Sequence, residues 1–169
     1  MAKTLTATDR SALIRLASTM DKGSPERKAI LAGLKKASGE SNIPGKHILD
    51  NAKVYDDAIV KDKAKVSGNA KVSGNAEVSE YAKVYGNAVV RGNAWVSGNA
   101  QVYDNAQVYG DAHVLDNARV EGKAEVSGKA RVEGKAVIGG TAVILGGKWN
   151  GSEGPIMEGT WKSPTERIR

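Results

Sequence analysis

Two imidazoles are the natural place to look for chemistry in this 169-residue chain, because His47 and His113 are its only histidines and it has no cysteine. An imidazole acts as a general base only if it reaches the proton it must take, at about 2.6–3.2 Å. A catalytic zinc needs three protein ligands and an open position. Two histidines 66 residues apart cannot supply them, and thiolates are absent. No metal and no cofactor are therefore expected. The glycines, 20 in all, form no Gly-rich loop that opens a helix, so they read as turn residues and not as phosphate cradles. The remaining candidates are aromatic: Tyr85, Trp95 and Tyr103 lie in the same stretch as His113.

What positions these residues is an internal repeat. Aliphatic residues recur every six positions from Ile48, Val54 and Val60 through to Val132, Ile138 and Ile144. Alanine follows the same period from Ala52 to Ala142. A typical unit is Ala70-Lys71-Val72-Ser73-Gly74-Asn75. Ala and Val are two apart, so both point to one side of a short strand, and the polar residues between them point away. Gly-Asn or Asp-Asn then turns the chain, since these types tolerate positive φ at little cost. With no Phe in the chain, the core is expected to be narrow and regular.

The Val66-to-Ala70 spacing, an aliphatic residue and then a small one four later, resembles the hexapeptide-repeat family. That resemblance implies a mainly β fold: a single-stranded, left-handed parallel β-helix of triangular section. The handedness rests on the resemblance, since parallel crossovers are ordinarily right-handed. Three units make one coil of 18 residues, so residues 47–146 predict about 5–6 coils, roughly 27 Å long at about 4.8 Å per strand. The wording Asn-Ala-x-Val-Ser/Tyr-Gly is also similar to uncharacterised hexapeptide proteins of bacteria and their phages. Many family members are acyltransferases that use a His base at a subunit boundary, beside a cleft walled by an inserted loop. Here His113 is the weak catalytic candidate, and no inserted loop is present. The three-His zinc site of the family's carbonic anhydrases has no counterpart.

Stacking every 18 residues sorts the outward side chains into three faces. Lys53, Lys71 and Tyr109 fall on the first, and Ile59, Trp95, His113 and Leu115 on the second. Lys65, Lys83, Tyr85 and Tyr103 fall on the third, where the two tyrosines can form a ladder. Aromatic residues on an exposed face suggest an interface. The family resemblance implies a homotrimer, and the second face is its expected contact, although scattered surface apolar residues are also normal.

The flanks lose the period. Residues 1–46 read as a basic helical hairpin and linker that holds most of the net charge of +6. Leu13, Leu16, Ala17 and Met20 share one helical face. Ser24-Pro25-Glu26 starts the second helix. The phrases Leu13-Ile14-Arg15-Leu16-Ala17 and Pro25-Glu26-Arg27 resemble N-terminal segments of phage and environmental bacterial proteins. Residues 1–38 are expected to dock on a protein partner through Arg27, Lys28, Lys35 and Lys36, with capping of the first coil as the alternative. Residues 147–169, with Trp149 and Trp161, read as a C-terminal cap. The hairpin has no aromatic residue, which argues against nucleic acid. Neither a signal peptide nor a membrane span is read from the sequence, so the expected location is cytoplasmic or virion-associated. The reading that follows is a non-catalytic structural, spacer or attachment protein of a phage particle or bacterial assembly. A hexapeptide-repeat acyltransferase is the alternative.

Overall fold

A computed structural model describes residues 12, 13, 15–17, 19, 20, 24–27, 29, 30 and 47–168. From Ile48 onward the backbone climbs in coils. Each six-residue unit contributes a two-residue strand such as Lys71–Val72, then a two-residue corner. Strands one coil apart pair in parallel with a constant offset of 18, as in Lys53↔Lys71 and Val54↔Val72. The result is three sheets of eight, six and five strands. The protein is a parallel β-solenoid of about six turns.

Its core is the inward set that the period predicts. Every Val from Val60 to Val132 in the register is at most 1% exposed, and Ala64 to Ala130 likewise. Outward residues bind coil to coil: the Lys53 N–H donates to the Ala70 carbonyl at 2.9 Å, and the same offset recurs along the prism. Strand N–H groups of a middle coil thus bond to the next coil, while an Ala N–H such as that of Ala82 bonds back across its own corner to Ser79 at 3.2 Å.

The corners carry the conformational cost. Their first residue has positive φ in every unit, for example Gly98 at 73° and Asp116 at 58°. A Cβ on Gly98 would lie 2.7 Å from the Asp116 nitrogen, so glycine is required there. Where Asp takes the position it earns a compensating bond: the Asp116 carboxylate accepts the Gly134 N–H at 3.0 Å, and Asp50 accepts that of Gly68 at 2.9 Å. The second corner residue builds ladders, with Asn69 donating to Asn87 and Asn87 to Asn105, both at 3.2 Å.

The prism does not stop at residue 146. Trp149 stacks on Val132, Ile156 on Ile138 and Trp161 on Ile144. One more coil is thus wound from bulkier residues, and Trp149 is 1% exposed. The strand Glu166–Ile168 then pairs antiparallel with Thr160–Ser163 and covers part of the last edge. The two indoles meet edge to face, 5.9 Å between centroids. Their N–H groups donate to the carbonyls of Gly146 and Glu158. Residues 147–168 thus form one further coil and a short antiparallel hairpin.

At the other end, helical backbone occurs at 12–13, 15–17 and 19, and at 25–27 and 29–30. The Ser24 hydroxyl accepts the Arg27 N–H at 3.2 Å, the bond of a helix N-cap. Ala17 is fully buried, and the Arg15 guanidinium lies 6.0 Å from the Tyr55 ring centroid on the first coil. Thr8, Leu31, Leu34 and the linker 39–45 lie outside the described residues.

Candidate functional site

On the second face, strand pairing places Trp95 directly over His113 and His113 over Arg131. The Trp95 and His113 rings meet edge to face at 5.6 Å and 74°. The Trp95 indole N–H donates to the Ser79 hydroxyl at 3.2 Å. His113 is half-buried in a packed column, and the coils on either side continue without an extruded segment.

The apolar residues of this face divide. Ile59 and Trp95 are 40% and 39% exposed, whereas Leu115 is only 8% exposed. Leu115 directly follows an inward Val, at the same position as Ser79, Ser97 and Ser127, which are buried too. Leu115 shares the burial of those three serines, whereas Arg91 and Leu145 at the same position are exposed. Leu115 therefore adds little uncovered area to an interface, and Trp95 and Ile59 carry what the face offers. Below them Glu133 contacts Arg131 and meets Lys148 at 2.7 Å. The Arg131 contact first, and the Lys148 contact second, hold the Glu133 carboxyl below the ordinary carboxylate value. Lys61 and Glu77 pair at 2.9 Å, which holds the Lys61 ammonium above its ordinary value.

On the third face Tyr85 and Tyr103 stack ring on ring, and the Tyr85 hydroxyl donates to Gln101 at 3.2 Å. Tyr103 donates to Glu121. Burial first, then the carboxylates of Asp104 and Glu121, push the Tyr85 phenol up. On the first face Arg91 lies 4.4 Å from the Tyr109 ring centroid. The tyrosine hydroxyls of these columns find side-chain partners on the next coil, Tyr109 on Glu125 at 3.0 Å among them.

His47 does not behave as a surface residue. It is 1% exposed, with Nδ1 3.1 Å from the Ala64 carbonyl and Nε2 without a partner. His47 lies at an outward position of the first coil, one coil before Lys65, and the period gives no sign of its burial. Of the expected docking cations, Arg27 is 7% exposed with a buried, unpartnered Nε. Lys28, Lys35 and Lys36 lie outside the described residues. Among the described residues no group of three or more His, Asp or Glu is placed to hold a metal ion. No helix among them is long and apolar enough to cross a membrane.

Fold and faces together define a repeat β-solenoid protein. Within it, the family model described as YdcK Beta solenoid repeat matches residues 82–98 and 100–116, each about one coil. No curated protein and no solved structure matches the chain.

Proposed function

We propose that this solenoid is of the left-handed hexapeptide-repeat type and serves as a non-catalytic spacer or attachment module. In this reading three copies pack as parallel prisms through the second face, with Trp95 and Ile59 at the contact. Residues 1–38 engage a protein partner, and the setting is a phage particle or a bacterial assembly. The observation that carries the reading is the uninterrupted climb from Ile48 to Ile144, in which no coil extrudes a loop. A reaction cleft needs a wall, and His113 has only the neighbouring columns of its own face. The phage or bacterial setting draws on the resemblance of the N-terminal wording.

The experiment is sedimentation equilibrium of the purified full chain, together with a screen of common acyl donors. A trimer without acyl turnover is expected. A chain that stays monomeric at high concentration overturns the trimer. Acyl turnover that disappears in His113→Ala overturns the non-catalytic reading in favour of an acyltransferase.

A further inference from the structure

Asn150 and Gly151 form the one Asn-Gly step of the chain, since every other asparagine precedes Ala or, at Asn42, Ile. In such a step the following backbone nitrogen can attack the side-chain amide carbon, and glycine, with no Cβ, leaves the approach open. Attack also needs access to water, a fixed side-chain carbonyl and an acceptor for the proton on the nitrogen.

The last coil supplies all of these. The step follows the buried Trp149, where the chain leaves the strand Lys148–Trp149 for the turn over 151–154. Asn150, Ser152 and Glu153 are exposed. The Ser152 N–H donates to Asn150 Oδ1 at 2.9 Å, which orients the side-chain carbonyl and draws electron density from its carbon. The Gly151 N–H donates to Glu153 Oε2 at 3.1 Å, so the attacking nitrogen already directs its proton at a carboxylate. Glu153 Oε1 accepts in turn from the Ser152 hydroxyl at 3.2 Å.

The corner asparagines are arranged the opposite way. Asn87 donates its side-chain amide to Asn105 at 3.2 Å, and the Ala88 N–H donates to the Tyr85 carbonyl at 3.4 Å. Asn69 and Ala70 are held likewise. There the leaving nitrogen is bonded along the ladder. The attacking one is bonded to a carbonyl, which is too weak a base to take its proton.

We propose that Asn150 is a site of spontaneous deamidation and isoaspartate formation, assisted by Glu153. The Gly151 nitrogen gives its proton to Glu153 and bonds to Asn150 Cγ. The Cγ–Nδ2 bond breaks, the proton is returned to Nδ2, and the amide leaves as ammonia. One water then opens the resulting succinimide at either carbonyl, giving aspartate or isoaspartate at position 150. The last coil has little room for the second product. The Lys135 N–H donates to the Asn150 carbonyl at 3.3 Å, and a Cβ on Gly134 would lie 2.7 Å from that oxygen. Isoaspartate lengthens the backbone by one carbon at this close contact, and either product places a new carboxylate one coil after Glu133. The inference is independent of the spacer reading, because the reaction needs one chain and water.

Ageing the full chain at neutral pH and body temperature tests it. The readouts are peptide mapping by mass and labelling by an isoaspartate-specific methyltransferase with a labelled methyl donor. Label is expected in the peptide that holds Asn150, while the peptides that hold Asn69 and Asn87 keep their amides. Asn150→Ser should take no label in that peptide. Glu153→Gln, at an exposed position, keeps a hydrogen-bond acceptor but removes the base, and should slow the conversion by at least about threefold. An Asn150 peptide that stays amidated and unlabelled over weeks overturns the proposal, as does equal conversion at Asn69 or Asn87. A Glu153→Gln chain that ages as fast as the wild type overturns the role of Glu153.

Discussion

Tyr85 and Tyr103, one coil apart on the third face, stack with 4.9 Å between ring centroids and 1° between their planes. The pair is a product of the period, since a parallel offset of 18 puts like upon like. Aromatic pairs contribute about 0.5–1.5 kcal/mol beyond their burial. A double-mutant cycle with Tyr85→Ala and Tyr103→Ala, read by urea denaturation, should return a coupling of that size. Strictly additive losses would mean that the stack adds nothing.

The Tyr85 phenol sits above its ordinary value near 10, mainly because burial disfavours the phenolate. A group whose folded value is raised contributes stability that is fully present below the unfolded value and is lost as pH rises through the folded one. The wild type should therefore lose stability above about pH 10 more steeply than Tyr85→Phe. Denaturation midpoints measured from pH 8 to pH 11 check this, and parallel curves for the two proteins refute it.

Val96 is fully buried between coils and Lys71 is exposed. Val96→Asp should disrupt the middle of the prism, since an isolated buried charge costs several kcal/mol. Lys71→Asp should be close to neutral and can even help, because Lys71 stands in register with Lys53. Equal melting of the two variants by circular dichroism would contradict the inward and outward assignment.

That assignment was legible because a six-residue period leaves no other way to bury Ala and Val together. What escaped the sequence did so for local reasons. Trp149, Ile156 and Trp161 occupy wall positions, but the Gly146-Gly147 corner shortens one side and the segment before Ile156 lengthens the next. Two of those offsets become 17, and a strict search for sixes ends too early. Leu115 alternates outward as expected, yet alternation says nothing of how low a side chain lies against its own corner. His47 has an outward position in the repeat and a buried side chain, which no period encodes. Tyr85 and Tyr103 were legible as a column because stacking follows from the coil length alone.

The last coil is tied to the prism by Glu133, which contacts Arg131 and reaches Lys148 on the following strand at 2.7 Å. Those two cations hold its carboxyl below the ordinary carboxylate value of 4.5. A depressed folded value contributes stability present above the unfolded value and lost as pH falls through the folded one. The Trp149 environment should therefore loosen below about pH 4.5 in the wild type. In Glu133→Gln the pH dependence should flatten. Tryptophan emission at acid pH reports it, and an unchanged acid response in the variant would remove Glu133 from the account.

The N-terminal segment gives the sharpest separation of two roles. Partner docking and capping of the first coil both fit a basic helical pair. One contact and two burials now bear on the choice: Arg15 lies over the Tyr55 ring, Ala17 is fully buried, and Arg27 is 7% exposed. Residues packed this way contribute to stability, whatever else the segment binds. Deleting residues 1–38 should lower the melting midpoint, because it removes that packing. A loss of about 1–2 kcal/mol corresponds to roughly 2–8 °C for a domain of this size. Arg27→Ala should reproduce part of the fall, while charge reversal at Lys35 and Lys36 should leave melting unchanged. If the segment also attaches the prism to an acidic partner, that reversal should weaken incorporation into the native assembly, and most strongly at low salt. A truncated chain that melts like the full one would show that the segment does not cap the prism. A reversed chain that assembles normally would show that Lys35 and Lys36 do not carry the attachment.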